Sequence, residues 1–181
     1  GRNAIAVAEL TLGHLLNMDR RISDNVNDLR NGVWQKKFYS KAKGLYGRTM
    51  AIIGLGAIGR EVAIRAQAFG MNIKGFDLYF TDEEAEELGI EKCLSPRDAC
   101  LNSDAITVHL PLNDSTKGII GRAELNALND GAFVINTSRG GIVNELELIS
   151  AIESKGLRAG LDVFENEPGS GDSNFNNPIA N

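Results

Sequence analysis

The chain has 181 residues, 43% of them hydrophobic and 24% charged, which suits one globular domain with a real core. A formal net charge of -5 with no basic stripe argues against nucleic acid as the main partner. Two cysteines, Cys93 and Cys100, and two histidines, His14 and His109, are too few for a disulfide framework or a metal centre. Free thiols suit a reducing cytoplasm. No apolar run approaches membrane-spanning length, and no N-terminal stretch reads as a secretory signal.

In chain order, Asn3 reads as the N-cap of a helix running to about Asn17. A second helix from about Asp19 to Asn31 closes at Gly32. Trp34 and a loop carrying Lys36, Lys37, Lys41 and Lys43, read as a solvated face, lead to a buried strand, Thr49 to Ile53. Helical apolar spacing follows over Arg60 to Phe69, at Val62, Ala63, Ala66 and Phe69, and NIKGF is the next strand. Thr81 with Glu84 forms a capping box, and Ser95-Pro96 opens another helix with proline at its first position. AITVHLP and GAFVINT read as strands, AELNAL and ELELISAIESKG as helices, the latter ending at Gly156, and AGLDVF as the last strand. The tail PGSGDSNFNNPIAN reads as a loop that does not return to the domain. Continuous apolar strands alternating with helices predict an α/β domain, a doubly wound parallel sheet.

The most specific signal is AIIGLGAIG, Ala51 to Gly59, followed by Asp77 at the end of NIKGFD. Gly54 permits a tight turn out of the strand, Gly56 leaves room for a pyrophosphate, and Gly59 lets the helix pack closely. N–H groups at the start of that helix face the phosphates. A carboxylate at Asp77 accepts from adenosine ribose hydroxyls and repels a 2′-phosphate, which favours NAD over NADP.

Ligands of such a sheet bind beyond the carboxyl ends of the strands. Polar groups there are Asp77, His109, the TSRGG turn with Arg139, and Asp162 to Glu167. A guanidinium at Arg139 suits a substrate carboxylate, though an arginine in such a turn also serves by pairing with a nearby acid. Asp162 and Glu167 suit a nicotinamide amide or a histidine to be oriented, or are solvated loop acids. His109 reads as a packed residue near the adenine edge and His14 as a surface or packing residue.

NAIAVAEL, GLGAIGREVA, VHLPLNDSTKGII, INTSRGGIVNE and LDVFENEP, in this order, resemble the D-isomer-specific 2-hydroxyacid dehydrogenases over nearly the whole chain. The text around GREVAIRAQAFGM and NTSRGGIVNE is most similar to the phosphoglycerate dehydrogenase branch. The glyoxylate/hydroxypyruvate reductase and D-lactate dehydrogenase branches remain alternatives, as do corepressors of the same family that sense NAD without turnover. An adenosylhomocysteine hydrolase type of NAD enzyme lacks the TSRGG and DVFENEP pair. The resemblance implies hydride transfer between NAD and a D-2-hydroxy acid, with Arg139 on the substrate carboxylate and Glu167 on the catalytic histidine. It puts Asp162 near the nicotinamide, and Ala57 and Ile58 under the pyrophosphate between the three glycines. Asp77 falls on the ribose, with Leu110, Thr137 and Ser138 lining the cofactor.

Further expectations follow from the same likeness. Residues 1–31 serve as interdomain and homodimerisation helices, 48–164 as the NAD-binding core, and 165–181 as a return loop toward a substrate domain. The family's catalytic histidine sits in a Pro-His pair beyond Asn181, so this chain alone is expected to bind NAD weakly without dehydrogenase turnover. Asn144 stands where the family often has aspartate, which affects only the cap of the following helix.

Overall fold

The apolar runs pair into six strands, all parallel, in a computed structural model that describes residues 3–169 and 174–180. In chain order these are α1 (Ala4–Arg20), α2 (Ile22–Arg30), α3 (Lys36–Tyr39), β1 (Thr49–Ile53), α4 (Ala57–Ala68), β2 (Asn72–Phe76), α5 (Asp82–Leu88) and β3 (Glu91–Lys92). Then come α6 (Pro96–Cys100), β4 (Ala105–Val108), α7 (Arg122–Ala127), β5 (Phe133–Asn136), α8 (Glu145–Lys155) and β6 (Arg158–Leu161). The strand order β3-β2-β1-β4-β5-β6 runs outward in both directions from β1, so the order reverses between β1 and β4. That reversal opens a crevice at their carboxyl ends, where doubly wound sheets bind ligands.

Alternation along each strand divides the core between two faces. Met50 and Ile52 of β1 join Phe133 and Ile135 of β5 under α1 and α4, with Leu12, Leu15, Val62 and Ala66 above them. Ala51, Ile53, Ile106, Val108 and Val134 point the other way, onto Ala99, Leu125 and Leu148 of α6, α7 and α8. Both faces are covered, which is why the strands read as unbroken apolar runs.

The helix caps follow the sequence where a short polar side chain starts a helix. Thr81 and Glu84 form the capping box of α5, Ser95 accepts from the Asp98 N–H ahead of Pro96, and Asn144 accepts from the Glu147 N–H. Gly156 ends α8 in the left-handed region, at φ 66°. The four loop lysines are exposed.

Several expectations are corrected. The first helix does not stop at Asn17: Met18 and Asp19 continue its buried face, and the break falls at Arg21, a left-handed residue at φ 53°. Asn17 stays within α1, and its Oδ1 accepts from the Ser23 N–H in the first turn of α2 at 2.9 Å. Asn3 offers α1 only its backbone carbonyl, with no side-chain cap bond. The α4 helix begins at Ala57, so Ala57, Ile58 and Gly59 form its first turn, ahead of the apolar spacing read from Arg60 on. Two elements escaped the pattern because each is too short to show a period, α3 and the edge strand β3. The tail does come back: Asn177 is buried, Ile179 packs on the core beside α8, and Pro178–Ala180 form a 3-10 turn. Residues 170–173 and 181 of that tail lie outside the described residues.

Candidate cofactor and substrate site

The glycine turn between β1 and α4 stands at the crevice, and its neighbours dictate each glycine. Gly54 has φ +98°, and a Cβ there would lie 2.5 Å from the His109 carbonyl oxygen and 2.9 Å from Leu110 Cδ2. At Gly59 a Cβ would fall 2.0 Å from the Gly54 carbonyl oxygen, so helix and turn touch backbone to backbone. Gly56 differs, because a Cβ there would meet nothing within 4 Å. Its bare position keeps open the space over the start of α4.

That helix start suits an anion. Gly56 is the N-cap, no side chain caps it, and no acid occupies the first turn. In contrast, α5, α6 and α8 each spend a side chain on the same N–H groups. An uncapped N-terminus with open space above it fits a pyrophosphate group, held by N–H donors and the helix dipole.

Asp77 has a second task that sequence reasoning missed. Its Oδ2 accepts from the Leu55 N–H at 2.9 Å and its Oδ1 from the Tyr79 N–H at 2.8 Å. The carboxylate therefore pins the glycine turn to the end of β2, where Gly54 also donates to the Phe76 carbonyl at 2.8 Å. Half-buried there, it retains lone pairs for ribose hydroxyls. Arg60 braces the turn from below, donating to the Leu55 carbonyl at 2.8 Å and pairing with Glu84 at 2.6 Å.

Across the crevice, His109 packs at the end of β4 with Nε2 3.0 Å from the Thr107 hydroxyl. Its Nδ1 is buried without a hydrogen-bond partner, and burial lowers the imidazole from 6.5 to about 4. The lowered value favours the neutral ring at physiological pH, which makes it a poor proton carrier for the reaction. His14 packs instead against Gly160 of β6.

The TSRGG turn after β5 is organised by Asn136, a buried residue absent from the sequence reading. Its Oδ1 accepts from the Ser138 N–H at 3.1 Å and from the Ser138 hydroxyl at 3.0 Å. Its Nδ2 donates to the Arg139 carbonyl at 2.8 Å. The signal was visible as an asparagine closing the apolar run FVIN. Thr137 is buried and its hydroxyl lies 3.0 Å from that of Thr11 on α1, so its side chain ties the turn to that helix. Arg139 is exposed and gives one donor to the Ser138 carbonyl at 2.6 Å. Among the described residues no acid lies within ion-pair distance of it. Its guanidinium is open to a ligand rather than spent on fixing the loop.

The acidic turn after β6 lies against this arginine turn. A Cβ on Gly140 would sit 2.0 Å from the Phe164 carbonyl oxygen, so the two loops press together. Asp162 is exposed and its N–H donates to the Asn136 carbonyl at 3.0 Å. Glu167 is exposed, and its Oε1 accepts from the Phe164 N–H at 2.9 Å. Arg139 and Glu167 thus stand on adjoining loops, and Leu110 closes the crevice over Gly54.

Comparison with known proteins agrees with this geometry. Residues 12–179 match the family profile described as D-isomer specific 2-hydroxyacid dehydrogenase, NAD binding domain. The D-3-phosphoglycerate dehydrogenase of Methanocaldococcus jannaschii is 42% identical over 92% of this chain and 32% of its own length. The hydroxypyruvate reductase of Thermotoga maritima is 41% identical over 93% of this chain and 54% of its own. Among solved structures, apo D-lactate dehydrogenase from Escherichia coli superposes with a TM-score of 0.83 at 30% identity, covering 91% of this chain and 52% of that one. The chain therefore spans a third to a half of the relatives it matches. With a sheet order, glycine turn and paired loops that all fit the same cofactor, the chain belongs to the NAD-binding domains of the D-isomer-specific 2-hydroxyacid dehydrogenases.

Proposed function

We propose that the protein bearing this domain is an NAD-dependent dehydrogenase that oxidises a D-2-hydroxy acid or reduces the matching 2-oxo acid. Bound NAD supplies a hydride acceptor at its nicotinamide ring. The observation that carries the reading is the unpaired guanidinium of Arg139 on a turn pressed against the one that bears Glu167. Arg139 grips the substrate carboxylate and steadies negative charge on the reacting oxygen. Glu167 orients a histidine supplied from outside these residues and keeps it protonated longer, so that it moves the hydroxyl proton. The N–H groups of Ala57 and Ile58, with Gly54, Gly56 and Gly59, hold the pyrophosphate. Asp77 takes the adenosine ribose and sets NAD over NADP. Leu110, Ser138 and the Thr137 backbone line the cofactor, and Asp162 meets the nicotinamide end.

The substrate reading is 3-phospho-D-glycerate, supported by the identity to phosphoglycerate dehydrogenases. The nearly equal identity to a hydroxypyruvate reductase supports that as the second reading. Residues 48–164 form the NAD-binding core, and within 165–181, the return toward a substrate domain, Asn177 and Ile179 pack back on that core. The protein works in the cytoplasm as a homodimer through residues 1–31, where Ile5, Ile22, Val26 and Leu29 are exposed. The present chain by itself binds NAD weakly and turns nothing over.

The test is kinetic. The full-length protein is assayed by NADH absorbance with 3-phosphoglycerate, hydroxypyruvate, glyoxylate and D-lactate, each with and without Arg139→Gln. The expected loss in kcat/KM is about 100-fold, through loss of the charge-assisted contact to the substrate carboxylate. Wild-type protein that binds NAD but turns over none of the four leaves the sensing reading in its place.

A further inference from the structure

Glu145 is a buried carboxylate in the first turn of α8, only 8% exposed, and it touches neither the glycine turn nor Arg139. A buried charge is costly unless hydrogen bonds satisfy it. Here the donors come from two other chain segments. One oxygen accepts from the Glu165 N–H at 2.5 Å, and the other from Asn177 Nδ2 at 2.6 Å. Asn177 Nδ2 also donates to the Glu165 carbonyl at 3.1 Å, so the Glu165 residue is gripped at both its N–H and its C=O. Asn177 is itself fixed, buried and with Oδ1 accepting from the Ile179 N–H at 3.0 Å.

We infer that Glu145, working with Asn177, is a positioning residue that fixes the Glu167 turn against the Arg139 turn. The gripped residue lies between Phe164, whose carbonyl bears on Gly140, and Glu167, whose carboxylate accepts from the Phe164 N–H. Between them Asn166 holds a left-handed conformation at φ 56°, so the turn is tight and depends on its tethers. Any slip of residue 165 moves Glu167 and opens the contact on which the arginine turn rests. Packing alone asks only for an apolar side chain at position 145. A carboxylate with two donors from separate segments specifies a position, and the α8 dipole favours its charge there. The inference rests on the reading that Arg139 and Glu167 carry the chemistry.

The experiment is a double-mutant cycle in the full-length protein, with Glu145→Gln, Glu167→Gln and the pair. The amide of Glu145→Gln presents a donor to a donor at one of the two bonds. Small misplacement of a reacting group is expected to lower kcat by about 10- to 100-fold. NADH affinity stays within about twofold, since the glycine turn is remote from the change. In the Glu167→Gln background the same substitution costs markedly less, only the part carried through the Arg139 turn, and the acid limb of the pH profile moves in Glu145→Gln as it does in Glu167→Gln. Asn177→Ala reproduces the pattern more weakly and decides the matter if Glu145→Gln does not fold. Unchanged kcat in Glu145→Gln, or an equal loss in both backgrounds as from general destabilisation, overturns the clamp alone. Unchanged kcat in Glu167→Gln overturns the functional reading, and the clamp with it.

Discussion

At the scale of single residues, several side chains carry two loads at once. Asp77, proposed above for the ribose, also ties the glycine turn to β2 through the Leu55 N–H. Asp77→Asn keeps an acceptor for that tie and removes the charge that repels a 2′-phosphate. Titration calorimetry with both dinucleotides is expected to show the NAD-to-NADP preference falling by about 10-fold, through the loss of one charged contact. His109 yields a pH prediction with a definite sign. Burial lowers it to about 4, while the unfolded imidazole titrates near 6.5. Unfolded chains therefore take up protons first, so its contribution is full above pH 6.5 and is lost as pH falls toward 4, by at most about 3 kcal/mol. Urea denaturation from pH 8 to 4.5 should show this slope in the wild type and a shallower one in His109→Gln. Equal slopes would sink the assignment.

Among elements, the starts of α5, α6 and α8 are closed by Thr81, Ser95 and Asn144, while that of α4, without a side-chain cap like those of α1, α2, α3 and α7, stands at the crevice with open space over Gly56. A closed start is structural, and Thr81→Ala is expected to cost about 1 kcal/mol in chemical denaturation without altering NAD affinity. In the same box Glu84 is held below the usual carboxylate range, first by the Thr81 backbone N–H and then by the Arg60 guanidinium. That contribution is present above the ordinary carboxylate range and lost as pH falls through the lowered one. Caps of this kind were legible in the sequence because they depend on two residues three apart. The break between α1 and α2 was not, since burial of Met18 beside Gly160 and of Asp19 under the Gly44 N–H and Arg48 outweighs the local preference for stopping at Asn17.

For the whole molecule, the sheet seals both thiols inside one face. Cys93 is 8% exposed and Cys100 fully buried, and burial raises both, Cys100 to about 12. Neither is a ready nucleophile in the folded state. Folded protein is expected to react negligibly with a thiol-specific disulfide reagent, and both thiols to react together once urea unfolds the domain. Fast reaction of either one before unfolding would contradict the packing.

Strand and helix succession, the glycine turn and Asp77 were all readable from the chain, because each rests on neighbours in sequence: periodicity, caps, and the small side chains a turn demands. Arg139 and Glu167 were readable as candidates at strand ends, and the family likeness added their roles. Only the tertiary structure decided that Asn136 builds the arginine turn, that Thr137 faces α1, and that Glu145 and Asn177 grip residue 165. These are hydrogen bonds between segments far apart in the chain, and no local pattern records which distant partner a buried polar group will find.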